Sequence, residues 1–177
     1  RVGTEIVRMV AAPHAAAGLR EMGRHGLAAI LLPEISTSAY ALGIATLERV
    51  RPRDAVLALT CLFHRCGADA ATASESARSR ILALGIGDDV AIPVSRIVRA
   101  ARLPFAPTWT EADLARAVRA LDRTVLDLGA TVRGACDQAR TGRIAADTAE
   151  LGRRLDALYR SGLPLRLADL AVNGDDL

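Results

Sequence analysis

RDAVLALTCLFHRC, residues 53–66, is apolar on nearly every side between Ala55 and Phe63. A helix without a polar face is stable only where other elements surround it, so this segment reads as the buried centre of a helical array. Arg51-Pro52 breaks the chain before it and Gly67 ends it. On the upstream side, Ser36 or Thr37 caps a helix running to about Val50, with Ala39, Leu42, Leu47 and Val50 inward. On the downstream side, ATASESARSRILAL (residues 71–84) predicts a helix with Ile81, Leu82 and Leu84 in and Arg78 and Arg80 out. Gly85-Ile86-Gly87 then turns the chain, and Asp88 or Asp89 caps a helix carrying Val90, Val94, Ile97 and Val98. Pro93 falls in its first turn or two, where a missing donor costs least.

LPFAPTWT (residues 103–110) is the most loop-like stretch. Its prolines and its aromatics Phe105 and Trp109 indicate an ordered joint packed on a core. Thr108 or Thr110 caps the next helix, whose inward set is Leu114, Val118 and Leu121. A longer helix follows over roughly 123–140, then Gly142, then a last helix over about 144–160 stopped by Ser161-Gly162. At the other end, RVGTEIVRMVAAPHAAAGLREMGRHGLAAILLPE (residues 1–34) places Val2, Ile6, Met9 and Val10 on one helical face. Pro13 interrupts that helix, a second carries Leu19 and Met22 inward, and LAAILLPE makes a short apolar turn stopped by Pro33. The polar face of this hairpin carries Arg1, Glu5, Arg8, Arg20 and Arg24. No alternating strand pattern and no fixed-period repeat is present. The fold expected is all-α, a compact multi-helix array of short helical hairpins around a buried central helix, with no sheet.

At 177 residues the chain is long enough to bury a real core, and with aromatics at 3% that core is built from Leu, Ala, Val and Ile. All 23 basic residues are arginine. A net charge of +3 permits nucleic-acid binding without demanding it, because clustering matters more than the total. Three cysteines argue against a disulfide framework. No apolar run reaches the roughly 18 residues that cross a bilayer, and no signal peptide is visible, so a cytoplasmic location and no membrane partner are expected. The missing initiator Met marks the chain as an expected piece of a longer protein.

Several residues bear on chemistry. LALTCLFHRCG (residues 57–67) is similar to the metal-binding helix of HD-type phosphohydrolases, but Arg65 follows His64 where a ligand carboxylate belongs, and His14 and His25 lie far off in sequence. Cys61 and Cys66 lie about 140° apart around one helix, and two further zinc ligands cannot be named. No metal site is therefore expected. Gly-Asp-Asp at 174–176 reads as a turn followed by a helix cap. The arginines carry more: Arg96, Arg99 and Arg102 recur every third residue on one helix, Arg116, Arg119 and Arg123 repeat much of that spacing, and Arg153 and Arg154 add a pair. Such stripes can follow a phosphate backbone; the simpler reading is a solvated face paired with Glu111, Asp113 and Asp122.

The order of elements in residues 1–34 resembles the neck-to-body junction of bacterial class II tRNA nucleotidyltransferases, the CCA-adding enzymes and their poly(A) polymerase relatives. Arg1, Val2 and Glu5 stand where the last part of that family's neck motif falls. A hydrophobic helix, Ala-Pro, a helix, Gly-Leu and Leu-Pro-Glu follow in the family's order. LPLRLADLAVNGDDL (residues 163–177) looks like the start of the family's tail, with Asn173, Gly174 and Asp176 matched in a structural sense. The resemblance implies end of neck and junction at 1–34, body at 35–103, a second helical subdomain at 104–164 and the start of the tail at 165–177. It implies a parent enzyme that adds CCA or A residues to RNA 3′ ends. Its Mg and CTP or ATP would be held by a head upstream of Arg1, so this chain would hold no catalytic residue or cofactor and would grip RNA, tRNA above all. The alternatives are a non-catalytic helical domain that binds protein through its Ala/Leu faces, and a degenerate HD-type hydrolase.

Overall fold

A computed structural model describes residues 1–51 and 54–162, and their regular structure is entirely helical. In chain order the helices are α1 (Val2–Ala11), α2 (Ala15–Arg24), α3 (Leu27–Leu31), α4 (Thr37–Leu47) and α5 (Ala55–Phe63). They continue with α6 (Ala70–Ala83), α7 (Asp88–Ala101), α8 (Glu111–Leu121), α9 (Arg123–Thr141) and α10 (Ala146–Arg160). The protein is all-α, as its periodicity requires. The break at Pro52 and the tail segment with Asn173, Gly174, Asp175 and Asp176 lie outside the described residues.

Helix starts follow local chemistry. The Ser36 hydroxyl accepts from the Ala39 amide at 3.3 Å, and the carboxylates of Asp54 and Asp69 accept from Leu57 and Thr72 at 2.7 and 2.8 Å. Each satisfies one of the orphan donors of a first turn. Thr110 and Asp113 form a reciprocal capping box at the start of α8. α7 departs from the sequence expectation: its cap position is Gly87, and Asp88 and Asp89 are its first two helical residues, acting through charge on the positive helix end. Asp122 has φ 77° and joins α8 directly to α9, its carboxylate accepting from the Thr124 amide at 2.9 Å. That single residue in a left-handed conformation turns one helix into the next without a loop.

α5 sits among α1, α4, α7 and α9, and every residue from Leu57 to Phe63 is buried. Its closest neighbour is α4, where a Cβ on Gly43 would come within 2.8 Å of the Cys61 carbonyl oxygen and 2.9 Å of the Leu62 Cα. Two inward assignments are corrected. α6 faces α7 through Ala73, Ala77 and Ile81, an i, i+4, i+8 stripe whose small residues allow close approach, and this rotates Leu82 out to 40% exposure. Val2, at the first position of α1, is 52% exposed, and the buried face of the helix runs through Gly3, Ile6 and Val10.

A second, smaller core lies between α8, α10 and the first half of α9. Phe105, Leu114, Val118, Leu121, Leu126, Leu151, Leu155 and Leu158 form it. The joint at 103–110 is packed into this core: Phe105 is buried and meets Trp109 edge to face, centroids 5.8 Å apart at 66°. The two cores meet where Gly129 of α9 lets the α7 backbone approach; a Cβ there would come within 2.8 Å of the carbonyl carbon of Ala100 and the nitrogen of Ala101.

Candidate nucleic-acid interface

The arginines divide by what their guanidinium groups touch. Arg96 reaches from α7 to the last carbonyl of α8, donating to the Leu121 oxygen at 2.8 Å. Arg102, at the end of α7, donates to the carbonyls of Cys66, Gly67 and Ala68 at 2.7, 2.9 and 2.7 Å. Arg96 therefore closes a helix end whose carbonyl has no intrahelical partner, and Arg102 fastens the turn between α5 and α6 to the end of α7. Arg99, between them in sequence, is exposed and makes no hydrogen bond or ion pair with another described residue. The regular spacing of Arg96, Arg99 and Arg102 thus covers three side chains in different environments.

On the second stripe, Arg116 is exposed and pairs with Asp113 at 2.6 Å within α8. Arg119 is exposed as well. Arg123 lies over the Tyr159 ring at 4.0 Å and approaches Asp127 at 3.8 Å. Of the later pair, Arg153 bonds Glu150 within α10, whereas Arg154 bridges the joint, donating to the carbonyls of Pro107 and Trp109 with its guanidinium 5.7 Å from the Phe105 ring centroid. Arg133 was not singled out by spacing, yet it makes as many hydrogen bonds as Arg102. From α9 it donates to the Leu103 carbonyl at 2.9 Å, the Thr148 hydroxyl at 3.0 Å and the Asp147 carboxylate at 2.5 Å. Nothing local in the sequence marks it, since its partners lie 14 to 30 residues away.

The N-terminal hairpin presents a different surface. Arg8 and Arg24 are 73% and 72% exposed and contact only Glu5 and Glu21, three residues earlier on their own helices. Arg20 reaches Glu48 at 2.6 Å. Arg1 is exposed beside Glu5. Exposed pairs of this kind hold little energy, typically a few tenths of a kcal/mol, so a phosphate can replace the carboxylate at small cost. Behind this polar face, Ile6, Met9, Met22, Leu27 and Leu31 line an open apolar groove of about 570 Å³. Glu34, of the Leu-Pro-Glu stop, accepts from Arg80 Nε at 2.8 and 2.9 Å, fastening the end of this region to α6. Arg80 therefore points toward the junction and not into solvent, a second correction on α6.

Among the described residues, no three His, Cys, Asp or Glu side chains gather where they could hold a metal ion. Cys61, Cys66 and Cys136 are buried and take part in no disulfide. No described helix is long and apolar enough to cross a membrane.

Residues 1–38 match the family described as "Probable RNA and SrmB- binding site of polymerase A". The similarity covers the hairpin, its exposed arginines, the apolar groove and the Leu-Pro-Glu stop, and it ends at the cap of α4. This part of the chain is similar to the RNA-binding region of poly(A) polymerases. No curated protein and no solved structure matches the chain.

Proposed function

We propose that this chain is the RNA-holding helical part of a nucleotidyltransferase that adds CCA or A residues to RNA 3′ ends. The observation that carries the reading is the coincidence of the RNA-binding family similarity at residues 1–38 with a face of exposed, locally paired arginines on α1 and α2. Such groups exchange a carboxylate for a phosphate and supply sequence-independent grip. Holding the RNA on a rigid helical scaffold fixes where its 3′ end lies, and orientation of that kind is a large part of catalysis in group transfer. In the parent enzyme the Mg ion and the CTP or ATP belong to a separate head. Arg99, Arg116, Arg119 and Arg123 are exposed and extend the proposed contact, with tRNA as the expected RNA.

The test is fluorescence anisotropy of the chain with labelled tRNA over a salt series, with single-stranded DNA as control. Binding preferring tRNA and falling log-linearly with salt supports the reading. The triple variant Arg8→Glu, Arg20→Glu, Arg24→Glu is expected to lower the salt slope by roughly 0.9 per lost phosphate contact. Absence of binding at low salt overturns it. A second reading, a protein-binding domain, is favoured by the apolar groove within the same residues; it predicts that Met9→Glu abolishes partner binding while RNA affinity stays unchanged.

A further inference from the structure

A separate cleft of about 320 Å³ opens where the ends of α5 and α7 meet α9 and the start of α10. Four arginines and two aspartates line it, an excess of two positive charges while His64 is neutral. Its walls are fixed: Arg102 and Arg133 are held by the bonds already described, and Asp137 accepts from the Thr148 hydroxyl at 2.7 Å and the Ala145 amide at 3.3 Å. Two guanidiniums are left with donors to offer. Arg140 comes no nearer than 3.9 Å to Asp137, and Arg65 makes no hydrogen bond or ion pair with a described residue. The fifteen-residue helix α10 begins here with no side-chain cap, so its positive end also faces the cleft.

The independent observation is His64. It is 2% exposed and lines this cleft. Its Nδ1 is bonded to the Cys61 carbonyl at 2.8 Å, which leaves Nε2 as the ring nitrogen open to a ligand. Nε2 is buried with no hydrogen-bond partner among the described residues. A buried polar atom in that condition costs about 1–3 kcal/mol unless something completes it.

We propose that the cleft binds a phosphate-class oxyanion that still carries an O–H, its charge held by Arg65 and Arg140 at the start of α10 and its O–H donated to His64 Nε2. Burial, with Arg65 and Arg102 nearby, pushes the His64 pKa down to about 4 against the opposing pull of Asp137 and the Cys61 carbonyl. At neutral pH the ring therefore donates through Nδ1 and offers only a lone pair at Nε2. A lone pair selects hydrogenphosphate, or a singly protonated phosphomonoester, over sulfate, which has no proton to give. The phosphate of an internal RNA phosphodiester has no such proton to give, so the site favours a free or terminal phosphate.

The test is titration calorimetry at pH 6.0, where inorganic phosphate and a good share of AMP carry a phosphate proton and His64 is still neutral, with inorganic phosphate, sulfate and AMP at matched ionic strength. Phosphate is expected to bind at one saturable site at least tenfold more tightly than sulfate. Arg140→Ala, a change at an exposed side chain, should weaken phosphate at least tenfold. His64→Asn keeps a donor for the Cys61 carbonyl and should bring the phosphate-to-sulfate ratio close to one. AMP binding more tightly than phosphate identifies a nucleotide phosphomonoester as the ligand; equal or weaker binding identifies free phosphate. Equal affinity for phosphate and sulfate in the unaltered protein, no saturable binding, or phosphate binding unchanged by Arg140→Ala overturns the proposal.

Discussion

The core around α5 and the core between α8 and α10 hold together by different means. The first is aliphatic on all sides of one helix, and its close approaches, such as Gly43 against Cys61 and Leu62, are made by backbone. The second is a thinner apolar layer whose edges are pinned by guanidinium groups. Arg96 reaches the end of α8, Arg133 reaches the joint and α10, and Arg154 reaches the joint from α10. A planar fork with five donors can satisfy several carbonyls at once, and an ammonium cannot do so in fixed directions. In a chain whose basic residues are all arginine, some of that positive charge therefore fastens elements to one another.

The largest effect should separate the two cores directly. Phe63→Ala, at a fully buried site on α5, is expected to cost about 3–5 kcal/mol, and Leu155→Ala in the smaller core about 2–4. Urea unfolding followed by circular dichroism measures both. Native-state hydrogen exchange should show α8 and α10 opening before α5; simultaneous opening would erase the distinction between the cores.

Next in size is the pH response of His64. Its folded pKa of about 4 lies below the ordinary histidine value of 6.5, so between these values the unfolded chain binds the extra proton. Stability is complete above about pH 6.5 and falls as the pH drops toward 4, by about 3 kcal/mol. Denaturant midpoints from pH 7 to pH 4 measure this, and His64→Asn should flatten that part of the curve. An unchanged curve in the variant would place the acid sensitivity elsewhere.

Arg133→Lys sharpens the comparison at the seam. Losing the fork is expected to cost about 2 kcal/mol, while the same change at exposed Arg99 should stay within about 0.5 kcal/mol. Equal costs would mean the guanidinium bonds do not hold the second core. The smallest effect is at its edge: Thr110→Ala removes the capping box of α8 and should cost about 1 kcal/mol, read as a modest fall in melting temperature.

The helices were legible because their causes are local. The apolar spacing on α1, the caps at Ser36 and Thr110, and the all-round apolar run of α5 each act within a few residues, and the structure has helices where they predict them. The orientation of α6 was not legible, because Leu82 and Ala77 are both acceptable to a helix and only the closeness of α7 favours the smaller face. Arg8 and Arg24 of the N-terminal face could be read from sequence, since their partners lie three residues away on the same helix, whereas Arg20 takes Glu48, 28 residues on.

What sequence alone determined is the helical array, its buried centre and the character of residues 1–38. Tertiary structure alone decided which arginines remain outside. A guanidinium on a long, flexible side chain takes whichever carbonyl the fold brings within reach, 25 residues away for Arg96 and 47 for Arg154. The same holds for His64: its Nδ1 bond is local, to Cys61 three residues earlier, but the cleft beside Nε2 exists only once α7, α9 and α10 have packed around the end of α5.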